Sequence, residues 1–572
     1  MHSSFDADAK EFDVIVAGSG AAGLATAVSC RILGLSTMLL EASPWIGGST
    51  ALSGGVLWIP GNPYRPASPE PEDLEHALAY IRAECGTNFD QSAASAFVQA
   101  AGASVKFLAE QGGLAYTGPA FWPDYHQELH GAREGGRSMR IEDFDGRLLG
   151  EVFSRLRRPL RSMTLFGGMM VGGNDLYHLL RARRSLKSAA HVAKILTRHF
   201  VDRLSHPRGT RLCNGSALVA RLLYRYLELG GKLSVDTCLT KIVRTQGQIA
   251  GCEITSDARG AIALKCRALV LAGGGVGGNH DLRRTLGSKA FPPDFESISL
   301  SPPSVRGDNI CAAVAIGARI DQRQHDMAAW VPVSKIGGGN CSKPDYFPHF
   351  FDRSKPGFIL INDRGERFVN EASSYHDIGA CMVRLGVRVA YILCDQAALR
   401  RYGVGVVPPG APRLSRWIRD GYLVQAENMK AMAQRLGVGE DELGRTVADY
   451  NRHAVQGVDP VFRKGQTPYE KYIGDPEHAP NPCVAPLSQG PFYAVRVQLG
   501  DIGTFCGLAT QASGLVLDDQ EAVIPGLFAV GNDRASIFGG TYPAAGITLG
   551  PALTHAVTTA HSIAGLSWPP KQ

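Results

Sequence analysis

Apolar positions change period twice within the first forty residues. Phe12-Asp13-Val14-Ile15-Val16-Ala17 is a short, nearly continuous apolar run of the kind a buried strand carries. It opens into Gly18-Ser19-Gly20-Ala21-Ala22-Gly23, after which Leu24, Ala27, Val28 and Ile32 recur at helical spacing. Thr37-Met38-Leu39-Leu40 then reads as a second strand and ends in Glu41. Two later apolar strands also stop at glycines. Residues 268–272 run into Gly273-Gly274-Gly275, and residues 526–530 run into Gly531-Asn532-Asp533. Residues 233–254 are rich in strand formers, and 357–371 read as strand, turn and strand. From about His325 the pattern turns aromatic- and proline-rich, then helical, to about Pro491.

Composition narrows the class. The chain has 572 residues, enough for several domain-sized units, with 44% apolar and 20% charged residues. Such a chain buries a large core, which excludes disordered, collagen-like and disulfide-scaffold readings. Glycine is in excess at 67 residues without a periodic repeat, which suggests tight turns and close backbone approaches to a ligand. A net charge of +6 is too small to indicate nucleic acid. The 12 cysteines are scattered singly with no C-x-x-C pair, so no metal site is expected. Residues 1–12 have no apolar run, and nothing reaches the ~20 residues of a membrane span. The expectation is an intracellular, reduced chain, free or peripherally attached.

The opening βαβ unit carries chemistry. Gly18 permits the tight turn, Gly20 lets backbone approach a pyrophosphate, and Gly23 lets helix and strand pack closely. A pyrophosphate is favoured at the helix N-terminus, at Ala21 and Ala22, by free N–H groups and the dipole. Glu41, followed by Ala42, stands where ribose hydroxyls would be bound. A second glycine- and hydroxyl-rich stretch, residues 47–55, contains Gly48, Ser49, Thr50, Ser53, Gly54 and Gly55.

Taken with Ala272-Gly273-Gly274 and Gly531-Asn532-Asp533, these motifs resemble the FAD-dependent oxidoreductases of the fumarate reductase and ketosteroid dehydrogenase superfamily. The resemblance implies an α/β fold: a discontinuous Rossmann-like FAD-binding domain with an inserted α+β catalytic domain. It divides the chain into FAD-binding residues 1–324, with a basic insertion near 150–210, catalytic residues 325–494, and FAD-binding residues 495–572. It implies further FAD contacts at Asp308, Gly546, Thr548 and Leu549. Residues 47–55 lack the histidine to which some relatives attach FAD, so non-covalent FAD is expected.

Within that superfamily, Tyr542-Pro543-Ala544-Ala545-Gly546 resembles the 3-ketosteroid Δ1-dehydrogenases. The resemblance implies that the Tyr542 hydroxyl and the Gly546 N–H hold a C3 carbonyl oxygen as an oxyanion hole. It implies that Tyr375 removes the C2 proton, that C1 hydride passes to flavin N5, and that Tyr125 supports Tyr375, with Tyr116 competing for that role. The implied activity is 1,2-desaturation of a 3-oxosteroid in steroid degradation, with electrons passed to a quinone-like acceptor. Two alternatives stand beside it. One is 3-oxosteroid Δ4-(5α)-dehydrogenation, against which Ala544 replaces the serine of that turn. The other is a fumarate- or enoate-reductase-like activity, for which no His-x-Thr clamp is found. Arg137 reads as structural.

The insertion differs in charge. Residues 154–211 hold thirteen Lys or Arg, Arg183 and Arg184 among them, against Asp175 and Asp202. Val192, Leu196, Phe200 and Leu204 recur every four residues, with Ala189 and Ile195 alongside, as one apolar helix face. Such a helix fits either an anionic membrane surface or packing on its own domain with solvated arginines, the second being preferred. The implied location is cytoplasmic, with peripheral contact at the inner face of the cell membrane as the alternative. Leucines and methionines of the insertion are also placed at the substrate entrance.

Overall fold

The computed structural model describes residues 10–64, 72–118, 121–182, 185–256, 260–287, 297–337 and 345–570. Residues 1–9, Arg183, Arg184 and Cys341 lie outside them.

The opening motif folds as strand Glu11–Ala17, helix Ala21–Ile32 and strand Thr37–Leu40. The two strands pair in parallel, Val14 opposite Thr37 through Ala17 opposite Leu40. Parallel neighbours extend the sheet on both sides: Lys232–Ser234 beyond Thr37–Leu40, and Gly260–Leu271 then Val523–Ala529 beyond Glu11–Ala17. An antiparallel pair, Thr237–Thr245 and Gln248–Ser256, completes this edge. The sheet is covered on both faces, so Val14, Ile15 and Val16 are all buried, which is why the strands read as continuous apolar runs.

A second, mostly antiparallel sheet is built around the long strand Phe492–Thr504. Ala328–Ile336 and Ala390–Asp395 flank it, with Asp345–Pro348 and Phe358–Asn362 at the outer positions. The chain returns to the parallel sheet through Leu515–Leu517 and Val523–Ala529, then ends in helix Leu549–Ile563.

Two sequence expectations are corrected. Only Phe358–Asn362 of the region 357–371 is a strand, followed by a single bridge between Ile361 and Arg367. Side-chain pairing replaces the ladder there: Arg367 binds both oxygens of Glu371 at 2.8 Å and also Asp459. In helix Leu186–Ser205 the packed face is Ser188, Ile195, His199 and Asp202, whereas Phe200 and Leu204 are exposed. Polar tethers set this rotation: Asp202 accepts from Thr210 N and Oγ1, and His199 Nε2 meets the Phe166 carbonyl at 3.0 Å.

Candidate active site

The glycine turns of the first sheet and the tyrosines border one cavity of about 400 Å³. Gly18, Gly20, Ala21 and Ala22 line it from the first βα turn, and Gly48, Ser49, Thr50, Ser53, Gly54 and Gly55 from the second glycine stretch. Ala272, Gly273, Gly274, Asp308, Gly531, Asn532 and Asp533 close it from the later strands, with Thr548 and Leu549 at the start of the last helix. Gly23 does not line it; a Cβ there would fall 1.9 Å from the Gly18 carbonyl, so Gly23 serves helix packing.

The glycines separate by purpose. Gly18 has φ of +125° and a Cβ there would lie 2.1 Å from the Ala272 carbonyl oxygen, so the fold itself demands it. At Gly20 a Cβ would touch only Thr50 Oγ1, at 3.5 Å. The protein does not require a glycine there, whereas a pyrophosphate against the helix N-terminus does. Ser49 Oγ is buried without a partner in the same wall, a hydroxyl left for a polar ligand. Glu41 is fixed by Ser19 Oγ at 2.5 Å and by Ser43 Oγ at 2.9 Å, and lines the cavity beside Ala42. Asp533 is occupied internally, accepting from Gly273 N at 2.6 Å, Gly275 N at 2.8 Å and Asn309 Nδ2 at 3.0 Å. It clamps two glycine turns that are far apart in sequence. These walls fit a dinucleotide.

At the other end stand three buried tyrosines. Tyr375 begins helix Tyr375–Leu385, capped by Ser374, whose hydroxyl accepts from Asp377 N at 3.2 Å. Tyr125 is held by its own N–H, which donates to the Pro543 carbonyl at 2.7 Å, next to Tyr542. The Tyr125 hydroxyl donates to that of Tyr375 across 3.4 Å. The Tyr542 ring lies 5.2 Å from Tyr375 and 5.9 Å from Tyr125. Tyr116 instead packs on Tyr64 at 5.2 Å. Gly546, with φ of +97°, sits where a Cβ would strike Leu57 C at 2.5 Å. Its carbonyl accepts from Trp58 N, and its N–H makes no hydrogen bond among the described residues.

Burial pushes the Tyr125 and Tyr375 hydroxyls well above the ordinary tyrosine range. It also raises Tyr542, which hydrogen bonding to Tyr375 and Thr548 pulls back. A cation sits behind this cluster. Arg353, fully buried, donates to the His349 carbonyl at 3.0 Å and the Ser373 carbonyl at 2.7 Å. Its charge works against the raising of Tyr125 and of Tyr469, whose ring is 4.4 Å from Tyr125. His126 bridges Glu84 at 2.5 Å and Asp377 at 2.9 Å, tying the Tyr125 segment to the Tyr375 helix. Arg137 is structural, buried between Asp73 at 2.9 Å and Asp124 at 2.8 Å.

Sequence reasoning missed Arg353, Tyr469, His126 and Arg140, which carry no motif. From the insertion, Leu160, Met163 and Met170 line the cavity.

A dinucleotide cradle joined to a buried polar pocket defines a cofactor-dependent oxidoreductase. The chain belongs to the FAD binding domain family, whose model matches residues 13–549, and the protein is an FAD-dependent oxidoreductase. It is 33% identical to 4-oxocyclohex-2-ene-1-carboxylate 5-dehydrogenase of Sinomonas cyclohexanicum, over 97% of this chain and 94% of that protein. It is 30% identical to 3-oxosteroid 1-dehydrogenase of Mycolicibacterium smegmatis, over 97% of each chain. The crystal structure of 3-ketosteroid Δ1-dehydrogenase from Sterolibacterium denitrificans, in complex with 1,4-androstadiene-3,17-dione, superposes with a TM-score of 0.89 at 32% identity, covering 97% of this chain and all of that one. Among the described residues no helix is long and apolar enough to cross a membrane.

Proposed function

We propose that this enzyme desaturates the ring bond next to a ketone, acting as a 3-oxosteroid 1,2-dehydrogenase. The observation that carries the reading is the convergence of Tyr375, Tyr542 and the unengaged Gly546 N–H at one end of a cavity whose other end is the dinucleotide cradle. The relatives named for a 3-oxosteroid and for a 4-oxocyclohexenecarboxylate share a ring ketone flanked by C–H bonds, which is what such a site addresses.

The Tyr542 hydroxyl and the Gly546 N–H hold the ketone oxygen. Two donors at that oxygen stabilise the negative charge that develops as the adjacent C–H is broken, and so acidify that proton. Tyr375 Oη takes the C2 proton. Its burial and its tyrosine neighbours favour the neutral phenol, so it acts as a base only against a proton that the oxyanion donors have acidified, with the Tyr125 hydroxyl as its hydrogen-bond partner. A 3.4 Å contact is long for a hydroxyl pair and is expected to tighten with substrate in place. Bound FAD supplies the two-electron acceptor for the hydride equivalent from C1, and a quinone-like acceptor or a dye removes the electrons afterwards. Leu160, Met163, Met170 and Phe350 give the cavity an apolar wall suited to a hydrocarbon ring.

The experiment is incubation of the FAD-loaded protein with androst-4-ene-3,17-dione and an artificial acceptor, followed by assignment of the new double bond. A C1–C2 alkene is expected. In a parallel incubation with 5α-androstane-3,17-dione, formation of a C4–C5 alkene with none at C1–C2 overturns the reading.

A further inference from the structure

Resting on that reading of the ketone end, we propose that Arg140 binds a carboxylate on the substrate, so that the preferred substrate is an anionic ring ketone.

Arg140 lies on strand Ser138–Ile141 and its side chain lines the same cavity as the tyrosines. Among the described residues it forms no ion pair. Burial lowers its pKa, and the charge-bearing group that opposes this is the Tyr472 hydroxyl rather than a carboxylate. The guanidinium instead lies over the Trp122 ring, 4.5 Å from its centroid. The nearest acid on the adjoining helix, Asp175, is already taken by Arg211 at 2.8 Å and His191 at 2.8 Å. Room is kept for the guanidinium: a Cβ at Gly173 would fall 2.0 Å from Arg140 Nη1. The other arginines buried near this cavity are engaged, Arg137 by two carboxylates and Arg353 by backbone carbonyls. A half-buried cation that faces a ligand cavity and lacks an anion has its complement in the ligand, and the planar guanidinium suits a carboxylate.

Strand register places this cation relative to the ketone site. Ser138 Oγ donates to the Ala545 carbonyl at 3.0 Å, beside Gly546. Arg140 is two residues further, on the same strand face, hence rooted about 7 Å along the strand. An arginine rooted that close to the ketone site can reach a carboxylate about one ring away from the ketone.

The test compares 4-oxocyclohexane-1-carboxylate with its methyl ester, and 3-oxochol-4-en-24-oate with androst-4-ene-3,17-dione, on the FAD-loaded enzyme. Wild type is expected to favour the compact acid over its ester by about 10- to 100-fold in kcat/KM, chiefly through KM. Arg140→Gln brings the acid-to-ester ratio near one, and Arg140→Lys restores part of it. If the side-chain steroid acid is favoured over the dione instead, the assignment of Arg140 stands only when Arg140→Gln removes that preference, and is overturned when the preference survives. Binding is read separately by flavin absorbance on titration with the same acid and ester, so the inference is tested even where no ketone turns over. Equal binding of acid and ester by wild type, or an acid preference that survives Arg140→Gln, overturns it. Failure of every ketone to react, with acid-selective binding intact, counts against the proposed function and not against Arg140.

Discussion

Tyr125 and Tyr375 share a hydrogen bond of 3.4 Å although 250 positions separate them in the chain. Tyr125 reaches that contact from a loop pinned to Pro543, and Tyr375 from the first turn of a capped helix. The tyrosine cluster therefore depends on segments from three separate regions of the chain being held together.

The oxyanion role proposed for Tyr542 gives the first prediction. Tyr542→Phe should retain FAD and fold normally but lose about 10²–10³ in kcat, the usual cost of removing one such donor. Steady-state kinetics with flavin content as the control reads this out. Near-native turnover would remove Tyr542 from the mechanism.

His126 gives a pH prediction. Burial alone would lower its pKa, but Asp377 and Glu84 outweigh this and raise it well above the ordinary value. A raised histidine stabilises the fold fully below its unfolded pKa of about 6.5, and loses that contribution as pH climbs through the folded value. Asp377 is lowered to about 2 despite its burial, mainly by His126, so its contribution is present above about 3.9 and is lost as pH falls toward 2. The stability gap between wild type and His126→Gln in urea should thus be widest between roughly pH 4 and 6.5 and narrow at alkaline pH. The variant should also lose about 10- to 100-fold in turnover as the Tyr125–Tyr375 alignment loosens. A gap independent of pH would contradict the assignment.

The basic insertion gives a third. Phe166, Phe200 and Leu204 are 60%, 56% and 86% exposed, and the Phe166 and Phe200 rings are 6.4 Å apart. Met163, from the same insertion, is itself exposed and lines the cavity. Contact of this apolar patch, amid the insertion's basic residues, with an anionic membrane surface is the alternative to a solvated face, and vesicle binding decides between the two. Sedimentation with anionic vesicles should occur at low salt and weaken at 1 M, where the Debye length falls to ~3 Å. It should drop sharply in Phe200→Ser/Leu204→Ser. Protein that stays in the supernatant at low salt would show that the patch has no such role.

The cradle was legible because its information is local. Gly18, Gly20, Gly23 and Glu41 lie within one βαβ unit, and their spacing fixes their geometry. The helix Leu186–Ser205 was legible as a helix but not in its rotation, because Asp202 and His199, rather than the apolar stripe, anchor it to the domain. Arg140 was invisible because nothing in a single sequence says which strand arginine lacks an anion; that depends on Asp175 being claimed by Arg211 and His191. Arg353 and Tyr469 likewise gain significance only from packing behind Tyr125.

The central claim is that Tyr375 is the base opposite a polarised ketone, and isotope exchange tests it most directly. A 3-oxosteroid deuterated at C2 is incubated with the FAD-loaded enzyme, with no electron acceptor, and the remaining label is measured over time. Wild type should wash deuterium out of C2 while Tyr375→Phe should not, with flavin content unchanged. Continued exchange in Tyr375→Phe, or retention of the label by wild type that still desaturates the substrate, would contradict the account.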